Sequence, residues 1–218
     1  MIHFNHFTLS YASKVLLKDY SASFSSKRLI GITGTNGAGK TSFLKTLAGL
    51  NACYTGHIWL NQKKLSDCSL KELAAFRTYI PATPHCYWEF STQDILGMEN
   101  PSFHLSHALL DQLDIRTLLS QKFSTLSSGE KARVFLTYAL IKNHPLLILD
   151  EITSHLDEDY QHLALRLLQD YAQKGKTIFL VLHQKNLALD YCDQVLWLDN
   201  QQFLPLKKAH PILQEVRF

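Results

Sequence analysis

Apolar and polar residues in this chain fall into short blocks whose period switches between two and about 3.6 residues. Ile2 to Leu9 alternates loosely, as a half-buried strand does, and Ala22 to Phe24 resumes the pattern after a turn. Leu29 to Thr33 is a β-branched apolar run ending in a glycine loop, which predicts a buried parallel strand. Thr41 to Leu50 then places Phe43, Leu44, Leu47 and Leu50 at helical spacing. Gly56 to Leu60 and Arg77 to Ile80 predict further strands. Leu146 to Leu149 and Ile178 to Leu182 predict two buried strands on either side of an amphipathic helix, Glu158 to Tyr171, and Val195 to Leu198 predicts a last strand. Strands and helices alternating in this way predict an α/β fold around a mostly parallel sheet, with antiparallel strands at the N-terminus.

The middle of the chain breaks that rhythm. Thr92 to Met98, Leu105 to Leu113 and Gly129 to Ile141 all carry helical periodicity, with Ser91, Ser106 and Ser128 placed to cap them. The expected organisation is one domain over 1–218. Residues 1–83 and 144–218 would form its α/β core, and 84–143 an inserted helical subdomain. No repeat or linker interrupts the chain.

Composition narrows the function classes. The chain has 218 residues, 46% apolar, 11% aromatic and 19% charged, which excludes intrinsic disorder. A formal net charge of +3 is too small to argue for nucleic acid or an anionic membrane as a partner. Cys53, Cys68, Cys86 and Cys192 form no CxxC pair and read as reduced, partly buried thiols. No signal peptide is visible, and no run reaches the ~20 apolar residues that a bilayer span requires. The chain therefore reads as soluble, and any work at a membrane needs spans supplied by another chain.

The strongest chemical signal is Gly34-Thr35-Asn36-Gly37-Ala38-Gly39-Lys40-Thr41, a GxxxxGK[ST] loop between a predicted strand and a predicted helix. Glycines let the backbone curl so that successive N–H groups point at phosphate oxygens, and the helix that follows aims its positive end at the same anion. Lys40 supplies a point charge for the β- and γ-phosphates, and Thr41 a hydroxyl for Mg²⁺. These residues predict the core of a phosphate-loop nucleoside triphosphatase. Downstream, the apolar run Leu146 to Leu149 ends in Asp150 and Glu151. At the C-terminal end of a parallel strand, Asp150 could hold Mg²⁺ through water and Glu151 could act as general base. Taken alone, two acids ending a strand are better explained by solvation; downstream of a phosphate loop they become its expected partner.

Leu126-Ser127-Ser128-Gly129-Glu130 opens a predicted helix, and its plain reading is a helix cap with Glu130 in the first turn. It does not stand alone, because Ser154-His155-Leu156-Asp157 follows the Asp-Glu strand and His183 follows the next. This ordered set, from Tyr11 to His183, resembles the ATP-binding-cassette ATPases. The resemblance implies a homodimer packed head to tail across ATP and Mg²⁺. Across the nucleotide, the loop of one copy (Gly34 to Thr41, with Ser42) would face Ser127, Ser128, Gly129 and Glu130 of the other. It further implies catalytic roles for Lys40, Glu151 and His183, Mg²⁺ held by Thr41 and Asp150, adenine stacked on Tyr11, and Asp157 in the dimer contact. A histidine at a strand end can also be a surface residue, and Tyr11 a strand-edge aromatic.

Two positions depart from the family pattern. Ala82 follows Tyr79-Ile80-Pro81 where a glutamine is usual, and Ile152 follows Glu151 where a proline is usual. Ala82 has no side-chain atom with which to ligate Mg²⁺ or sense the γ-phosphate, so slow hydrolysis is expected. The aromatic stretch Pro84 to Phe90 either docks a partner helix or closes the small helical core. His104 and His107 have the spacing of a metal pair but read as solvated. The spacing from Lys40 to Ser127 leaves no room for a long coiled-coil insertion, which sets aside chromosome-maintenance cassettes. The short chain favours the energy-coupling subunit of a transporter, bound to a separate transmembrane permease at the inner face of the cell membrane. Asn36 to Ser42 and His183-Gln184 resemble the haem exporter subunit of cytochrome c maturation. The alternative is the soluble cassette of iron–sulfur cluster assembly, whose signature also ends in Glu.

Overall fold

A computed structural model of the protein describes residues 1–12, 14–84, 89–98 and 107–206. The chain begins as an antiparallel hairpin, β1 (Ile2–Tyr11) and β2 (Lys14–Phe24), followed by β3 (Arg28–Gly34), α1 (Lys40–Leu47), β4 (Tyr54–Leu60) and β5 (Lys63–Lys64). Next come α2 (Leu70–Phe76), β6 (Arg77–Ile80), α3 (Thr92–Gly97), α4 (His107–Gln112), α5 (Ser128–Lys142) and β7 (Leu146–Leu149). The chain then runs through α6 (Glu158–Gln173), β8 (Thr177–Val181), α7 (Lys185–Tyr191), β9 (Gln194–Asp199) and β10 (Gln202–Leu206). The strands form a four-stranded sheet in the order β2-β1-β4-β5 and a six-stranded sheet in the order β10-β9-β3-β8-β7-β6. The larger sheet is parallel except for its β9–β10 edge pair.

The two faces of the parallel sheet build two cores. On one, Leu29, Leu147, Leu149, Ile178 and Leu180 pack against α5, α6 and α7. On the other, Ile30, Ile32, Ile148 and Phe179 meet α1 and the inner face of the smaller sheet. Helix α1 is thus held between two sheets, and aromatic rings fix it there. Phe43 stacks on Phe4 at 5.3 Å and meets Phe203 edge-on at 4.9 Å. Such pairs add about 0.5–1.5 kcal/mol each beyond burial. The helix cannot rotate without breaking them, so the glycine loop ahead of it inherits a fixed position.

Several expectations shift in detail. The hydrophobic pattern does not foreshadow β10, since Pro205 reads as a breaker; it stands opposite Leu196 on the sheet edge, where its missing N–H costs no ladder bond. Nor does the pattern foreshadow α2, although Ser69 and Glu72 form a reciprocal capping box at its start. Ser91 caps α3 in the same way. Ser127, not Ser128, caps α5: Ser127 keeps extended backbone while Ser128 is already helical. Ser106, His104 and residues 85–88, including Cys86, lie outside the described residues. Cys53, Cys68 and Cys192 are free thiols, and Cys53 is exposed rather than partly buried. Among the described residues no helix is long and apolar enough to cross a membrane.

Candidate active site

The loop between β3 and α1 takes its shape from its glycines. Gly34 (φ 147°) runs so close to β9 that a Cβ would lie 2.4 Å from the Leu198 carbonyl oxygen. Gly39 (φ 108°) caps α1, and a Cβ there would meet the Leu16 Cβ at 3.0 Å. Glycine has no side chain with which to cap the helix, so its first N–H groups remain available to an anion. The Lys40 side chain folds back under the loop, its Nζ donating to the Gly34 and Thr35 carbonyls at 3.0 Å each. Only 6% of Lys40 is exposed.

Two strand ends deliver the remaining chemistry. Asp150 follows β7, is fully buried, and neither carboxylate oxygen makes a well-formed hydrogen bond among the described residues. Burial pushes its carboxyl upward and the Glu151 charge adds to this; the adjacent Thr41 hydroxyl, Lys45 and Lys40 oppose it. The donor set fits a hard cation. A buried carboxylate with orphaned oxygens beside a threonine hydroxyl offers the oxygen ligands that Mg²⁺ prefers. Close by, the Tyr79 hydroxyl is also buried without a hydrogen-bond partner among the described residues, and burial, with a smaller contribution from the Asp150 charge, keeps the phenol protonated.

Glu151 stands in left-handed backbone (φ 53°), a conformation that costs a non-glycine residue of order 1 kcal/mol. It heads a 3₁₀ turn, Ile152–His155, and its carboxylate meets the His183 Nε2 at 2.9 Å. His183 lies just beyond β8, where the Leu182 N–H still bonds to the Ile32 carbonyl at 2.9 Å. Together these residues line an open cleft of about 660 Å³, with Asn36, Gly37, Gly39, Lys40, Thr41 and Ser42 on one wall and Glu151 and His183 on another. Tyr11, 66% exposed, stands at the rim. Thr35 and Ala38 line an adjoining cavity of about 270 Å³. The cleft also includes Lys14 and Leu16, which sequence reading missed. Their only signal was proximity to Tyr11.

Ser127, Ser128, Gly129 and Glu130 are not brought into this cleft. At the start of α5 the Ser127 hydroxyl accepts from the Glu130 N–H at 3.2 Å, and the Glu130 carboxylate accepts from the Ser127 N–H at 2.8 Å. That bond holds the Glu130 carboxyl below its usual value. A Cβ on Gly129 would lie 3.1 Å from the His155 carbonyl oxygen, so the helix start is pressed onto the turn after Glu151. Ser128 and His155 line a separate cavity of about 200 Å³ with Ala82, Thr83 and Ile152. Arg133, also missed from sequence, ties α5 to α6: its Nη1 donates to the Leu113 carbonyl at 2.9 Å and the Tyr160 hydroxyl at 3.1 Å.

A glycine loop feeding a buried helix, with two acids at the end of a parallel strand one place removed in the same sheet, defines a phosphate-loop ATPase. The sequence model of the family described as ABC transporter matches residues 17–154. The chain is 31% identical over 214 residues to the hemin import ATP-binding protein HmuV of Hahella chejuensis, covering 92% of this chain and 84% of that protein. It is 30% identical over 227 residues to the HmuV protein of Shewanella denitrificans, covering 98% and 89%. Among solved structures, an ATP-binding subunit of an ABC transporter superposes with a TM-score of 0.84 at 26% identity, covering 95% of this chain and 90% of that one. A dimeric ATP-binding cassette bound to ADP and Pi has the same fold, with a TM-score of 0.84 at 18% identity over 96% of this chain and 100% of that one. The chain belongs to the ABC transporter family, as an ATP-binding and ATP-hydrolysing subunit of a transporter.

Proposed function

We propose that two copies of this chain clasp ATP and Mg²⁺ between them and so drive a separate transmembrane permease at the inner face of a cell membrane. One observation carries this reading. The pair Glu151–His183, 2.9 Å apart, shares a cleft with Lys40, whereas Ser127 and Gly129 lie outside it. One copy thus binds the triphosphate on an open surface, and the start of a second copy's α5, its signature helix, would close it.

Lys40 and the loop N–H groups hold the β- and γ-phosphates, and Tyr11 stacks on the adenine. Glu151 takes a proton from the attacking water, while His183 orients its carboxylate. Thr41 and Asp150 would hold Mg²⁺, which when bound neutralises charge on the phosphates. With Ala82 in place of glutamine, hydrolysis is slow and loosely coupled to movement of the helical segment.

The names of the relatives support hemin as the cargo class and import as its direction. The resemblance to a haem exporter of cytochrome c maturation shares the cargo but not the direction. Nothing among these relatives favours iron–sulfur cluster assembly.

Light scattering of Glu151→Gln protein with saturating MgATP tests the central claim. A dimer is expected; a monomer at every protein concentration, with the permease present, overturns it. Affinity purification from detergent-solubilised membranes is expected to bring down a polytopic partner, and a soluble scaffold instead would favour cluster assembly.

A further inference from the structure

Tyr11 and Lys14 close the β1–β2 hairpin as its last cross-strand pair. Residues directly opposite in an antiparallel pair send their side chains to one face, with Cβ atoms about 5 Å apart. Both stand at the same edge of the phosphate cleft, and both line it. Lys14 also lines the adjoining cavity, together with Asn36 and Gly37 of the loop, which belong to both hollows as it does. Its side chain therefore lies along the wall between Tyr11 and the phosphate loop. Packing fixes that place, because Leu16, two residues further along β2, presses on the loop where a Cβ on Gly39 would meet it at 3.0 Å.

The two lysines of the cleft are held differently. Lys40 is buried and its Nζ is seated on the Gly34 and Thr35 carbonyls. Lys14 is exposed and makes no ion pair or side-chain hydrogen bond among the described residues. Asp199, which lines the adjoining cavity with it, accepts instead from the Asn200 amide at 3.3 Å. A lysine ammonium is a point charge with rotatable donors on a flexible stem, suited to meeting an anion that arrives beside it. A nucleotide with its base on Tyr11 and its β- and γ-phosphates in the loop must lay its ribose and α-phosphate along the stretch between them, beside Lys14.

We propose that Lys14 is a further nucleotide-binding residue whose ammonium donates to the α-phosphate, so that the cleft recognises the joint between nucleoside and polyphosphate as well as the polyphosphate itself. This deepens the ATP-binding reading above and rests on its placement of adenine at Tyr11.

The test is calorimetric titration of full-length protein in EDTA with ATP, ADP and inorganic pyrophosphate. Lys14→Met keeps the apolar stem and removes the charge. It is expected to weaken ATP and ADP by the same factor, about fivefold, the upper scale of an exposed ion pair. Pyrophosphate affinity is expected to stay at the wild-type value, because the loop alone holds that ligand. The unfolding midpoint is expected to stay there too, since the residue is exposed. Lys14→Arg keeps the charge and is expected to bind all three ligands as wild type does. Tyr11→Ala is the control for the base and is expected to weaken ATP and ADP but not pyrophosphate. Wild-type affinities in Lys14→Met, with Tyr11→Ala weakened, overturn the role of the lysine alone. A loss confined to ATP would move the contact to the γ-phosphate, and a matching loss of pyrophosphate would reveal a general pull on anions; either overturns the α-phosphate assignment. Equal losses in Lys14→Arg and Lys14→Met overturn it as well, by exposing a merely structural role. Unchanged ATP binding in Tyr11→Ala overturns the placement of adenine, and this inference with it.

Discussion

Glu151 shows how a single residue is aimed. Its left-handed backbone lets β7 stop abruptly, so that Asp150 stays inside while the next carboxylate swings to His183. Glu151→Gln keeps this shape but removes the basic oxygen, so ATP binding should survive while phosphate release falls by roughly 10²–10⁴-fold. Ala82 is the opposite case, a position where chemistry is missing and space is present. It lines the cavity of about 200 Å³ with Thr83 and Ile152. Ala82→Gln should therefore fit without strain and raise the steady-state rate of ATP hydrolysis. A large drop in that rate would show that the missing glutamine is not what slows turnover.

At the scale of elements, α1 and α2 are held in contrasting ways. Helix α1 depends on aromatic packing, so Phe43→Ala should cost about 3–5 kcal/mol in urea unfolding and displace the loop that it anchors. The start of α2 depends on charge. The Lys63 ammonium, 2.6 Å away, and then the Ser69 N–H and hydroxyl lower the Glu72 carboxyl from 4.5 to about 2. Between these values the unfolded chain binds the extra proton, so this stabilisation is complete above pH 4.5 and lost as pH falls through about 2. Denaturant midpoints measured across that window should fall less steeply for Glu72→Gln than for wild type. Periodicity makes most strands and long helices readable from sequence, because each spends its apolar face on one core. It misses α2, a single capped turn or two, and β10, where the edge position overrides the usual meaning of proline. The glycine loop is legible for another reason: its chemistry depends on residues adjacent in sequence. Tyr79, Lys14 and Arg133 are not, since their neighbours are set by strand register and by packing across the fold.

Taken whole, the molecule separates its phosphate cleft from its signature helix, and closure would require a second copy. ATP turnover per molecule should then rise with protein concentration and level off once dimers saturate. A rate per molecule independent of concentration down to the nanomolar range would speak against that. The folded-back Lys40 has a consequence for how nucleotide arrives. Its ammonium is already seated between two carbonyls of its own loop, so polyphosphate capture is a swap of ligands on a shape that stands ready. The entropy of ordering that segment belongs to folding, not to association. Calorimetry of MgATP uptake, run at protein concentrations too low for copies to pair, should accordingly show little of the heat-capacity change that accompanies a disordered loop closing over its guest.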